Sequence, residues 1–280
     1  PLSLDLSSPP PTRAPGAASQ TRAHEFAPGE DPDVFARNIA AIAQRSPRAA
    51  RRIAAAPPKE KLDIFESAQP GVLTAELDGR LLASRRRPAD EADKLARSVD
   101  LESTGGIVVL GFGMGHHLAA FARHAERLAA IVCFEPDESL LRSVLARVDH
   151  ADWLASAHFV LATDPDDPAG LTASLNGLEG PLSVGVDIVP HPPSANRLGD
   201  SGKRFAATFA DVFGRMRTQI VTTLVQTDVT VRNEFMNADQ YLRWPGVADL
   251  RGVLDGRPAV CVAAGPSLRR NIHQLAKPGV

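Results

Sequence analysis

The sequence feature that most constrains this fold is an alternation of short apolar runs with helical segments between residues 107 and 189. Four of the runs are almost continuously apolar: Ile107–Leu110, Ala130–Phe134, His158–Ala162 and Leu182–Val189. Segments with helical spacing lie between them, at Gly115–Leu128, Glu138–Arg147 and Pro168–Leu175. Short buried strands that alternate with helices are typical of a parallel sheet covered on both faces. We therefore predict an α/β protein with a Rossmann-like, doubly wound domain.

Around this alternation, the sequence predicts four regions. Residues 1–32 are rich in Pro, Ser, Ala and Gly, and we expect a disordered tail because so few bulky apolar residues cannot offset the entropy lost on ordering. Residues 33–190 would form the Rossmann-like N-terminal domain, and residues 191–245 a helical connector. Residues 246–280 hold one further strand–turn–helix unit, which we interpret as the start of a truncated second α/β domain.

Local signals predict one hairpin and one helix break. Asp78-Gly79 separates Val72–Leu77 from Arg80–Ser84, and Asp-Gly is a preferred two-residue hairpin turn. The helical pattern of the connector is long for a globular protein, so we expect it to break near Gly202 or Gly214.

Composition argues against several classes of function. The 31 Lys and Arg residues against 33 Asp and Glu give a net charge of −2, so nothing suggests a nucleic-acid or anionic-membrane partner. No apolar run approaches the ~20 residues of a membrane helix, and we expect a cytoplasmic protein.

The sequence also lacks the pattern of a metal site. Cys133 and Cys261 lack metal-ligand spacing. His116 and His117 are adjacent and would point to different helix faces, one packed and one solvated, so we predict no metal site.

A glycine-rich turn follows the first strand of the alternation. Gly111, Gly113 and Gly115 would let backbone amides approach a ligand at a helix N-terminus. Their spacing matches the G-x-G-x-G turn of S-adenosylmethionine-dependent methyltransferases, and Glu135 stands about 20 residues on, where an acidic residue contacts ribose hydroxyls. The glycines can equally serve close packing, and Glu135-Pro136-Asp137 can simply begin a helix. Both interpretations stay open.

A second turn lies near the end of the sequence. Gly265, Pro266 and Ser267 follow a predicted strand over residues 258–263 and precede a predicted helix. Proline fixes its own φ, and Ser267 stands where a helix would be capped. The amides of residues 267–269 could then bind a phosphate, with charge added by the arginines that follow. An ordinary capped helix explains the same residues equally well.

Four stretches resemble the motility-associated factor (Maf) glycosyltransferases. Ala264–Leu268 resembles the motif that opens their catalytic domain, which is related to that of archaeal 6-hydroxymethylpterin diphosphokinases. The other stretches occur in the matching order: Leu81–Leu95, Gly106–Leu118 with Phe134–Asp137, and the helix carrying Asn233 and Asn237. The resemblance runs from about residue 33 to the end. Because the family's catalytic domain continues further, we interpret the chain as its N-terminal part and expect it to be inactive alone.

The resemblance implies transfer of a nonulosonic acid, a sialic-acid-like sugar, from its CMP-activated form to Ser or Thr of flagellin. Gly265, Pro266 and Ser267 would form part of the donor site, with Asn233 and Asn237 lining or bracing it. It implies no tightly bound cofactor besides this donor substrate, and it assigns no catalytic residue.

Three alternatives stay open beside this function. The first is a methyltransferase that binds S-adenosylmethionine at Gly111–Gly115. The second is a pterin diphosphokinase that holds ATP phosphates at Gly265–Ser267. The third is a non-catalytic domain that docks flagellin or another subunit.

Overall fold

The computed structural model describes most of the chain: residues 26–100, 104–124, 130–156, 158–243, 246–253, 255–256, 265 and 268–274. The chain divides into two compact units, Pro1–Ile220 and Val221–Val280, hereafter the first and second units. Among the described residues, no helix is both long and apolar enough to cross a membrane.

The first unit begins with helices and a small antiparallel sheet. In chain order these elements are α1 (Pro32–Ala43), α2 (Pro47–Ala55), β1 (Leu62–Glu66), β2 (Leu73–Leu77), β3 (Arg80–Leu81) and α3 (Pro88–Arg97). The strands pair in the order β1-β2-β3. Asp78 and Gly79 form the turn between β2 and β3 with positive φ angles of 50° and 77°, which confirms the predicted hairpin. The sequence analysis did not anticipate α2 or β1.

A four-stranded parallel sheet forms the centre of the first unit. Its strands are β4 (Gly106–Leu110), β5 (Ala130–Phe134), β6 (Phe159–Ala162) and β7 (Val186–Pro190), in the order β6-β5-β4-β7. The chain runs outward from β4 to β6 and then returns to the other side of β4, as in a Rossmann-like half. The predicted α/β fold class is confirmed, although β7 begins four residues later than expected.

Helices connect these strands and continue after them. They are α4 (His116–Ala122), α5 (Glu138–Leu145), α6 (Ala151–Ser156), α7 (Pro168–Leu175), α8 (Glu179–Leu182) and α9 (Pro192–Arg243). Val247–Leu250 forms a 3₁₀ turn, Leu268–Asn271 forms α10, and Ile272–Gln274 forms a second 3₁₀ turn.

The parallel sheet buries both of its faces. Alternate residues of each strand enter two separate apolar clusters, as the two-residue period of a strand requires. Ile107, Val109 and Cys133 pack with α1, α4 and α5, so the free thiol of Cys133 is a core group. Val108 and Val132 pack on the other side with α7 and with apolar residues of α9 from Leu198 to Met216. Cys261 lies outside the described residues.

Helix α9 changes direction at Gly199. Its φ of 47° and ψ of −126° are not helical, and such a conformation is accessible mainly to glycine. The predicted break near Gly202 is confirmed to within one helical turn, whereas Gly214 stays within the helix.

The last residues of the predicted tail pack against the first unit. The guanidinium of Arg142 lies over the rings of Phe26 and Phe35, 4.5 and 4.8 Å from their centroids. It also forms a buried ion pair of 3.3 Å with Glu30. Ordered contacts therefore begin before the predicted boundary at residue 33, while residues 1–25 lie outside the described residues. The other predicted domain boundaries stay predictions.

Candidate functional site

The carboxyl ends of β4 and β7 bring two loops of the first unit together. One is the glycine turn, residues 111–115, and the other runs from His191 to Ser194 at the start of α9. The backbone N–H of Gly111 donates to Phe134 O at 2.9 Å, and that of His191 donates to Leu110 O at 2.9 Å. In open α/β sheets, ligands bind outside the carboxyl ends of the strands where the strand order reverses. Here that point lies between β4 and β7.

Two properties of the turn require its glycines: their φ angles are positive, and the surrounding protein leaves no room for a Cβ atom. Gly111, Gly113 and Gly115 have φ angles of 110°, 50° and 79°, which side chains disfavour. A Cβ atom on Gly113 would lie 2.5 Å from His191 Cε1, and one on Gly115 would lie 2.7 Å from His150 Nε2. A Cβ atom on Gly111 would clash with Ser194. These sides of the turn thus face protein side chains, which favours the close-packing interpretation.

Glu135, at the end of β5, is fully buried and bound by protein groups. Its Oε2 accepts the Phe112 N–H at 3.2 Å, and its Oε1 accepts the Asp137 N–H at 3.1 Å. The Arg197 guanidinium donates to both oxygens, at 2.6 and 2.5 Å. Burial acts to lower the pKa of Arg197, but its hydrogen bond and charge interaction with Glu135 outweigh this and raise it. A ribose diol would have to displace this arginine.

Histidine side chains surround the glycine turn. His117 and His191 stack with centroids 4.0 Å apart and an angle of 7° between the rings. Burial lowers the pKa of His117 to about 4, that of His191 to about 2 and that of His150 to about 3, so all three are neutral near pH 7. The prediction that one of the adjacent histidines is packed and the other solvated is wrong, since His117 is buried and the half-buried His116 bonds Leu73 O through Nε2 at 2.7 Å. No group of three potential metal ligands occurs among the described residues.

A cavity of about 300 Å³ opens beside the turn, between α3 and the start of α9, and we call it the switch-point cavity. Its walls include apolar side chains, the imidazoles of three histidines and, at the mouth, two charged residues: Leu82, Ala83, Pro88, Ala92, Leu95, Met114, Pro192, Pro193, His116, His117, His191, Glu91 and Lys94. The sequence analysis did not anticipate this cavity.

Two partners of the site were missed from the sequence. Arg197 lies 62 residues from Glu135, and no spacing rule connects an arginine inside a predicted helix with a particular carboxylate. His191 follows β7, and the sequence analysis assigned it no role. Its position just after a strand could have indicated that it lies near the glycine turn, because parallel strands bring their carboxyl ends to the same edge of a sheet.

The second unit contains the remaining predicted site residues. Asn233 and Asn237 are exposed on α9, and Asn237 Nδ2 donates to Asn233 O at 2.8 Å. Gly265 accepts the Leu268 N–H at 3.0 Å, so one amide expected to bind a phosphate is used within the turn. Pro266 and Ser267 lie outside the described residues. Whether any of these residues binds a ligand stays a prediction.

Comparison with known proteins adds a distant structural similarity. No protein-family model matches the chain, and no curated protein matches it. A solved structure of the Maf glycosyltransferase from Magnetospirillum magneticum AMB-1 is similar, with a TM-score of 0.43 and 15% identity. The similarity covers 66% of this chain and 35% of that one, so this chain spans about a third of that protein's length. A likeness at this level assigns neither a family nor an activity.

Proposed function

We propose that this chain is part of a Maf-like glycosyltransferase that transfers a nonulosonic acid from a CMP-activated donor to Ser or Thr of flagellin. The observation that carries the proposal is the collinear order of the four stretches that resemble this family. One stretch could match by chance, whereas four in the same order and at similar spacing are much more specific.

The geometry of the first unit favours this function over methyl transfer. Glu135, which a methyltransferase would use to hold the ribose, has both oxygens bonded to Arg197 and to backbone N–H groups. The glycine turn packs against His191 and Ser194. Since the carboxylate that would hold the ribose is occupied by protein groups here, we assign donor binding to the second unit.

The proposed donor site uses the turn at residues 265–267 and the arginines after it. When the glycosidic bond breaks, negative charge grows on the CMP phosphate, and backbone amides and cations near that phosphate would stabilise it. Arg269 and Arg270 are exposed on α10 and can supply positive charge. The carbonyl oxygen of Gly265 holds the turn by accepting the Leu268 N–H.

The two asparagines would have different roles in this proposal. The Asn237 carboxamide is bonded to the helix backbone, so we assign it a bracing role. The carboxamide of Asn233 has no hydrogen-bond partner within the part of the chain that the structure describes, and it is exposed. It is therefore the better candidate for direct contact with the donor, because an amide can both donate and accept hydrogen bonds.

A transfer assay tests the proposal. The natural gene product that contains these residues is incubated with a CMP-activated nonulosonic acid and purified flagellin, and the intact mass of flagellin is measured. We expect a mass increase of whole sugar units, reduced at least about tenfold in Asn233→Ala, which corresponds to one lost hydrogen bond to a charged or transition-state group. The matched control is Gln226→Ala, an exposed carboxamide on the same helix, which should leave transfer unchanged.

Other outcomes separate the alternatives. Transfer of a methyl group from S-adenosylmethionine, or of diphosphate from ATP to a pterin, would overturn the proposal in favour of those functions. Absence of sugar transfer from every CMP-activated nonulosonic acid tested would also overturn it.

A further inference from the structure

The switch-point cavity has the size and wall chemistry of a small-molecule site. Its volume of about 300 Å³ is at the lower end of the range for ligand sites, about 300–1,000 Å³. Leu82, Ala92 and Met114 give it buried apolar walls. A sugar needs many polar partners, and walls with few polar atoms cannot supply them. Such walls suit the face of a flat ring.

The polar part of the wall comes from two buried imidazoles. His117 Nε2 bonds the Gly111 carbonyl oxygen at 3.0 Å, so this nitrogen must carry the proton and Nδ1 of the neutral ring is an acceptor. His191 uses Nδ1 in a 2.8 Å bond with Ser194 Oγ. The second nitrogen of each ring, His117 Nδ1 and His191 Nε2, has no protein partner among the described residues. Both histidines line the cavity, and neither nitrogen is among the described buried side-chain atoms that lack a hydrogen bond, so both nitrogens are accessible from the cavity and available to a ligand.

The charges near the cavity lie at its mouth. Glu91 and Lys94 are exposed on α3, whereas the buried wall holds neutral groups. Lys94 has no ion-pair partner among the described residues. The buried part of a ligand should therefore be uncharged, because an unpaired charge is costly away from water. An anionic substituent, if present, would lie outside and near Lys94.

We propose that the switch-point cavity binds an uncharged, planar nitrogen heterocycle of nucleobase size, which donates an N–H to His117 Nδ1 and hydrogen-bonds His191 Nε2. The two rings stack on each other and both line the cavity, so in this proposal the polar edge of the heterocycle lies against them. The apolar walls contact its faces. This site is in the first unit and does not depend on the proposed glycosyl transfer.

Methionine methyl signals in the NMR spectrum of the full chain provide a direct test. The chain has three methionines: Met114 lines the cavity, Met216 is buried in the opposite cluster, and Met236 is exposed. We titrate methyl-¹³C-methionine protein with adenosine and with cytidine. We expect one of them to shift the Met114 signal saturably with a Kd below about 1 mM, while the other two signals stay fixed. No shift of Met114 with either nucleoside, or equal shifts at all three methionines, would overturn the proposal.

Two sets of variants and one control define the ligand. Ala92→Leu fills the cavity and should weaken nucleoside binding at least tenfold. If its melting curve shows that this variant is unfolded, the ¹⁵N chemical shift of His117 Nδ1 in the native chain is measured instead. This signal must move on binding, and an unchanged shift would overturn the proposal.

AMP and CMP then distinguish nucleotides from nucleosides. Tighter binding of the nucleotide that is lost in Lys94→Gln but kept in Lys203→Gln identifies a nucleotide. Equal binding of both forms identifies the nucleoside, and ribose 5-phosphate should not shift Met114.

Discussion

Arg197 and Glu135 form the ion pair that defines the end of β5. The carboxylate is fully buried, and the arginine side chain is 23% exposed. A buried ion pair adds little net stability when it forms, but loss of one partner leaves an uncompensated charge and is strongly destabilising. The pair therefore holds the start of α9 against the parallel sheet.

We expect Arg197→Met to lower the free energy of unfolding by about 3 kcal/mol, because the Glu135 carboxylate would lose its cation. Glu135→Gln in the same chain should recover part of this loss, since a neutral amide can still accept the Phe112 N–H. Urea unfolding of the single and double variants measures the effect. If the losses in free energy of unfolding of the two single variants simply add in the double variant, the two side chains do not interact in this way.

The buried histidines make the stability of the first unit depend on pH. Burial lowers the pKa values of His117, His150 and His191 to about 4, 3 and 2, below the ordinary 6.5. The unfolded chain therefore binds more protons below pH 6.5, and stability falls as the pH falls. From pH 6.5 to 5.5 we expect a loss of about 3 kcal/mol, roughly 1 kcal/mol for each histidine.

Urea unfolding of the native chain and two variants across this pH range tests the effect. His191→Gln should remove about a third of the pH dependence. His124→Gln, at an exposed position, is the control and should leave the slope unchanged. A slope that is the same in all three proteins would contradict the assignment.

At the scale of elements, the sequence predicted what depends on local periodicity. The strands β4, β5 and β6 and helix α7 lie where their apolar patterns placed them. The break in α9 was placed only to within one helical turn, since several glycines were available and the sequence does not reveal which one adopts a positive φ. The first glycine turn was found, but not the side chains that pack on it, because they come from distant segments.

The glycine turn gives a matched pair of substitutions. Gly115 and Gly177 have nearly the same φ, 79° and 80°, but a Cβ atom would meet His150 only at Gly115 and nothing within 4 Å at Gly177. Gly177→Ala should therefore cost about 1–2 kcal/mol from backbone strain alone. Gly115→Ala should cost about 3–5 kcal/mol, because steric overlap with a fixed ring adds to the strain. Equal losses in urea unfolding would show that the turn is not tightly packed.

At the scale of the whole molecule, the described apolar core belongs to the first unit. The buried members of both clusters lie between Ala41 and Met216. In the second unit, large apolar side chains of α9 such as Leu224 and Phe235 are exposed. The sequence predicted two α/β domains from hydrophobic runs, but a run of apolar residues does not show which ones find partners.

A pair of fragments tests where the first unit begins. We expect residues 26–220 to unfold cooperatively, with a free energy within about 1 kcal/mol of the main transition of the full chain, since they hold both clusters. Residues 33–220 should be less stable by about 3 kcal/mol, because Arg142 is 2% exposed and would lose Glu30. Arg142→Met in the shorter fragment should recover part of that loss, since methionine carries no charge into the pocket. If both fragments unfold at the same urea concentration, residues 26–32 contribute nothing to the fold, and the boundary predicted from composition is the correct one.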